Sequence, residues 1–135
     1  MTLKALHVDD ALCSHSIYIV YHFLTRVGFE VTYAENGQEA IELAHTEKPD
    51  IILMDLRMPV MDGWEAIKRI RASEKTKHIP ILVVTKNYSQ QDQERAFAAG
   101  CDEFEKKPPT QASLFKKIDK LLSTSFATQF ITQKK

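Results

Sequence analysis

The chain has 135 residues, 44% of them hydrophobic and 27% charged, which is the profile of one soluble globular domain with a real core. Lys plus Arg and Asp plus Glu number 18 each, a formal net charge of zero, so no global basic field points to nucleic acid or to an anionic membrane surface. Neither a signal peptide nor a long apolar span is present, and the expectation is a cytoplasmic protein.

Leu3–Val8 is apolar and ends in Asp9-Asp10, the pattern of a buried strand. From Ala11 to Val27, the residues Ile17, Val20, Leu24 and Val27 recur at helical spacing, and Gly28 stops the helix. Phe29–Ala34 alternates as a half-exposed strand does. Asn36 with Glu39 reads as an N-cap pattern, opening a helix to about Glu47 that buries Ala40, Ile41 and Ala44. Pro49-Asp50 breaks it.

Ile51–Met54 is a continuous apolar run ending at Asp55, as central parallel strands covered on both faces are. Pro59 and Gly63 punctuate a loop; Asp62 caps a helix to about Ser73. Ile79–Val84 is a second buried run, ending at Thr85. Ser89 caps a helix to Ala99, and Gly100 sits where a C′ glycine belongs. Asp102–Lys106 is a weaker, charged strand around Phe104. Pro108-Pro109 ends it, and Thr110 caps a last helix with Leu114, Ile118, Leu121 and Leu122 on one face.

Residues 1–123 thus form one expected domain, and 124–135 a polar tail that reads first as frayed, with packing of Phe126, Phe130 and Ile131 on the domain or a partner as the alternative. Cys13 and Cys101 are too few and too scattered for a disulfide framework or a metal knuckle, and read as small buried thiols. Five βα units in succession specify an α/β doubly wound parallel sheet with helices on both faces.

In such a sheet the strands end on one edge, where ligands bind. Asp9, Asp10, Asp55, Thr85 and Lys107 follow strand ends, so the topology predicts a cleft with three carboxylates, a hydroxyl and an ammonium. Hard Mg²⁺ is held by one or two carboxylates, with water and phosphate completing its shell. A carboxylate also attacks phosphorus to give an aspartyl phosphate. Asp55 is the expected nucleophile because it ends the most apolar strand. Lys107 and Thr85 then contact other phosphoryl oxygens, since this chemistry is mainly positioning and charge neutralisation. Singly, each residue reads as an ordinary turn, cap or surface lysine; their joint placement at successive strand ends carries the argument.

The stretch Met54-Asp55-Leu56-Arg57-Met58-Pro59-Val60-Met61-Asp62-Gly63, together with His7-Val8-Asp9-Asp10, Ile79–Thr85, Ala98–Phe104 and Lys107-Pro108, resembles the receiver domains of two-component response regulators over about residues 3 to 122. The resemblance implies a flavodoxin-like sheet of strand order 2-1-3-4-5. It implies that Asp55 accepts a phosphoryl group from a phosphohistidine of a sensor histidine kinase or histidine phosphotransfer protein. Asp10 is then a direct Mg²⁺ ligand, with Asp9 acting through water, and Asp55 and the Arg57 backbone carbonyl are further ligands. Thr85 and Phe104 are the switch pair, Phe104 turning inward. The face of the fourth helix, fifth strand and fifth helix carries the signal to a downstream protein. The Lys107–Pro108 bond is often cis in such domains.

Lys86, Glu105 and Pro109 depart from the family pattern; the charges of the fifth strand read as protection of a sheet edge. The expectation is a stand-alone, self-phosphorylating and self-dephosphorylating switch rather than a turnover enzyme, with homodimerisation left open. The alternative is a pseudo-receiver that binds partners without phosphorylation. An aspartyl phosphatase fits worse, because Arg57 stands where a second acid is needed. His15 and His22 read as surface histidines, and Trp64 as partly buried packing.

Overall fold

Successive side chains of a strand point to opposite faces of the sheet, and here that alternation sorts the core into two layers. The computed structural model describes residues 2–10, 14–86 and 88–128. Its elements run β1 Lys4–Val8, α1 Ser14–Arg26, β2 Glu30–Ala34, α2 Gly37–Glu47, β3 Ile51–Met54, α3 Gly63–Ala72, β4 Ile81–Thr85, α4 Gln90–Ala99, β5 Glu103–Lys106 and α5 Gln111–Leu122. All strand pairs are parallel, in the order β2-β1-β3-β4-β5. Leu6, Val8, Ile52, Met54, Ile81 and Val83 face α2, α3 and α4. Ala5, Ile51, Leu53, Leu82 and Val84 face α1 and α5. β3 is the middle strand and is wholly buried, which puts Asp55 at the centre of the C-terminal edge. No helix among the described residues is long and apolar enough to cross a membrane.

The local stop and start signals hold. Asn36, Asp62, Ser89 and Thr110 each accept a hydrogen bond from the backbone N–H three residues on, satisfying donors that a helix start leaves unpaired. Cys101 is buried, and burial pushes its thiol up to about 12. His15 and His22 are both exposed. Cys13, Phe130 and Ile131 lie outside the described residues.

Three expectations need correction. The frayed tail from residue 124 begins instead as packed chain: Asp119 accepts from the Thr124 hydroxyl and from the N–H groups of Phe126 (2.8 Å) and Ala127 (3.0 Å). That turn delivers Phe126, 9% exposed, against Phe29 and Phe115 with ring centroids 5.7 and 6.1 Å away. Aromatic burial outweighs the polar composition of the segment. Glu105 does not guard the open edge of β5. It is buried, accepts from Ser113 Oγ at 2.7 Å and pairs with Lys117 Nζ at 2.7 Å; α5 supplies the partners that make burial of the charge tolerable. Trp64 is fully rather than partly buried, at 2% exposure.

Candidate functional site

The C-terminal edge gathers residues from four strand ends. β1 runs into Asp9, whose N–H donates to Ala34 O at 3.0 Å, and Asp55 N–H donates to Val8 O at 3.0 Å. The sheet ladder therefore continues one residue past each strand and aligns the two aspartates side by side. Leu56 N–H donates to Asp55 Oδ1 at 2.8 Å, which orients that carboxylate. Thr85, the last residue of β4, is completely buried, and its carbonyl accepts from Lys107 N–H at 3.0 Å. The Lys107–Pro108 peptide is cis. Lys107 Nζ then reaches across the sheet edge to Asp9 Oδ2 at 2.6 Å and Asp55 Oδ2 at 3.2 Å, with only 1% of its side chain exposed.

The loop after β3 is tightly built. Gly63 N–H donates to Leu56 O at 2.7 Å, and a Cβ on Gly63 would sit 2.1 Å from the carbonyl oxygen of Asp55. Only glycine lets α3 begin this close to the acceptor strand. Gly37 N–H fastens α2 to the same loop through Met61 O at 3.0 Å.

Burial raises the Asp9 carboxyl to about 6; the Lys107 ammonium opposes this, and the nearby Asp55 adds to it. Asp9 Oδ1 is buried and has no hydrogen-bond donor among the described residues. A desolvated carboxylate oxygen without a donor, beside a second carboxylate, fits a hard cation or its bound water. Among the described residues no three Asp, Glu, His or Cys side chains are grouped to hold a metal by themselves. Asp9 and Asp55 meet through Lys107, while Asp10 is half-buried alongside. The residues fit Mg²⁺ of the kind that keeps most of its waters, and not a closed protein cage. Arg57 is 62% exposed at its side chain.

Phe104, the other residue of the expected switch pair, is 8% exposed and belongs to the core layer with Val83, Ala96 and Ala99.

Two site neighbours escaped the sequence reading. His7, two residues before Asp9 and so on the same face of β1, lies 4.0 Å from Asp9 Oδ2. Burial, and secondarily the Lys107 charge, holds it down at about 3, hence neutral. Its position in the strand was the available signal. Tyr33 donates its hydroxyl to the Asp9 carbonyl at 2.7 Å, and burial raises it to about 12, with Asp9 contributing next. Only the pairing of β1 with β2, which sets His7 beside Tyr33, brings it there.

The sequence matches the family model described as response regulator receiver domain over residues 6–119. It is 32% identical to protein PilH of Pseudomonas aeruginosa over 120 residues, covering 89% of this chain and 98% of PilH. Among solved structures it resembles the receiver domain of sensor histidine kinase PA1611 from Pseudomonas aeruginosa, which has a magnesium ion coordinated in its active site cleft. That likeness has a TM-score of 0.81 and 31% identity, covering 92% of this chain and 100% of the other. Chemotaxis protein CheY4 of Vibrio cholerae is similar at TM-score 0.81 and 34% identity, covering 90% of this chain and 100% of the other.

Proposed function

Because the chain belongs to the response regulator receiver domain family, we propose that it is a phosphorylation-controlled switch in which Asp55 is the acceptor. The observation that carries this reading is the buried Lys107 ammonium bridging Asp9 and Asp55 at the end of the central strand. An Asp55 oxygen attacks the phosphorus of a phosphohistidine on a sensor kinase or phosphotransfer protein; the P–N bond breaks and the imidazole leaves. Lys107 stays in reach of a phosphoryl oxygen, and the Thr85 hydroxyl serves another. Asp9, Asp10, Asp55 and the Arg57 carbonyl are the groups to hold Mg²⁺, which when bound supplies charge neutralisation at the phosphoryl group. Later attack by water on phosphorus restores Asp55, so the chain resets itself and is not a turnover enzyme.

A switch of this kind signals through protein contact. The face of α4, β5 and α5 exposes Phe97 (47%) together with Lys106, Lys116 and Lys120, and suits a downstream protein. A phosphodonor charged from cellular ATP puts the exchange in the cytoplasm. The test is incubation with Mg²⁺ and acetyl phosphate, read by intact mass. The expected gain of one phosphoryl group disappears in Asp55→Asn; no Asp55-dependent gain defeats the proposal.

Lys86 directly after Thr85 and the charged β5 motivate a second reading, a pseudo-receiver that binds partners without phosphorylation. Titration of Mg²⁺ against Trp64 fluorescence separates the two, since a pure scaffold does not respond.

A further inference from the structure

α4 is the helix with the least apolar anchorage: within it only Ala96 and Ala99 are buried, and Phe97 points its ring half into solvent. Small side chains bury little area, so something besides hydrophobic contact must set where α4 sits. Two cationic contacts converge on one indole. Trp64 is the second residue of α3, next to Gly63, which is pressed against the Asp55 carbonyl. Arg95 of α4 lies over the Trp64 ring, with Cζ 4.1 Å from its centroid, and Arg57 lies 5.2 Å from the same centroid. Arg57 also pairs with Asp92 of α4 at 3.7 Å. Asp92 is itself held, because its N–H donates to the Ser89 cap at 3.1 Å.

Guanidinium groups are attracted to the face of an indole. Two of them on one ring repel each other, and the Asp92 carboxylate offsets that repulsion. Arg57 belongs to the loop that carries the phosphoacceptor, two residues after Asp55. The indole and the Asp92 carboxylate therefore tie that loop to α4 by a route that uses neither Thr85 nor Phe104.

We propose that Asp92 and Arg95 are positioning residues: through Arg57 and Trp64 they set the geometry of the phosphoacceptor loop, and so the rate at which Asp55 is modified. The inference rests on the reading of Asp55 as acceptor. A partner that covers α4 and engages Arg95 or Asp92 therefore changes the rate at which Asp55 is modified.

The experiment uses the full chain and the variants Asp92→Asn, Arg95→Gln, Arg95→Lys and Arg57→Ala. For each, the rate of Asp55 labelling by acetyl phosphate, the Mg²⁺ affinity from Trp64 fluorescence and the thermal midpoint are measured. The expected result is a change of about threefold or more in labelling rate for Asp92→Asn and Arg95→Gln, with little change in midpoint. Arg95→Lys, which keeps a cation over the ring, restores most of the rate. The Arg57→Ala/Arg95→Gln pair is expected to be non-additive. Variant rates equal to a parent that does label, or rate changes that only follow the midpoint, overturn this inference and leave the acceptor reading standing. A parent that fails to label overturns both.

Discussion

The ammonium of Lys107 sits closer to Asp9 than to Asp55, 2.6 Å against 3.2 Å, with both members of the nearer pair almost fully buried. A buried charge that loses its partner is costly because nothing replaces the lost solvation. Lys107→Met is therefore expected to destabilise the fold by about 3 kcal/mol, read by urea unfolding. Adding Asp9→Asn to that variant recovers much of the loss, since the orphaned carboxylate is removed. Simple additivity of the two changes would contradict a direct pair.

His7 and Asp9 are shifted in opposite directions, and their effects on stability oppose each other. Burial, then the Lys107 charge, lowers His7 from 6.5 to about 3, while burial raises Asp9 from 3.8 to about 6. Below about pH 6.5 the unfolded chain protonates His7 and the folded chain does not, so His7 removes stability as pH falls. The folded chain protonates Asp9 near pH 6 and the unfolded chain only near 3.8, so Asp9 adds stability over the same window. Between about pH 6 and 4 the two proton differences nearly cancel. Relative to the parent, Asp9→Asn is expected to lose stability on acidification with a slope approaching 1.4 kcal/mol per pH unit, roughly one proton's worth. His7→Leu is expected to gain stability with a similar slope. Urea titrations at intervals across this range check both signs.

Gly63→Ala tests how tightly the acceptor loop is built. The added methyl meets the backbone oxygen of Asp55 at 2.1 Å and Leu56 Cα at 2.8 Å, and backbone cannot swing away as a flexible side chain does. The expected cost is about 3 kcal/mol, with loss of Asp55 labelling by acetyl phosphate. A normal labelling rate at parental stability would show that the loop yields freely.

Val60 has φ 69 and is 84% exposed. A β-branched residue is strained in the left-handed region, and here its side chain gains no packing in return. Val60→Gly is expected to raise stability by about 0.5 kcal/mol, the relief of strain slightly exceeding the added freedom of the unfolded chain. Thermal unfolding checks the sign.

Phe126→Ala removes a ring packed against Phe29 and Phe115, at an expected cost of about 3 kcal/mol. Asp119→Ala, which strips the acceptor from two backbone N–H groups, is expected to cost about 1 kcal/mol. Unchanged urea midpoints in both would mean that the packed segment adds nothing to the fold.

The fold was legible in advance because its signals are local. Ile51–Met54 reads as a central strand from four consecutive apolar residues, and Asn36, Asp62, Ser89 and Thr110 read as caps from residue type and position. Parallel topology then brought Asp9, Asp55, Thr85 and Lys107 to one edge. Glu105 was misread because a charge on an edge strand looks exposed until Ser113 and Lys117 of α5 are seen closing over it. Phe126 was misread because its partners lie far from it in the chain.

Residue order alone determined which groups end the strands, for strand ends are marked by short-range periodicity and by the physics of helix starts. Which of those groups touch was decided only when distant segments packed. Burial led Lys107 to favour Asp9, left Asp9 Oδ1 without a donor, kept His7 neutral and stacked two arginines on Trp64. Desolvation and ångström-scale distance govern those choices, and both come into being only with the assembled fold.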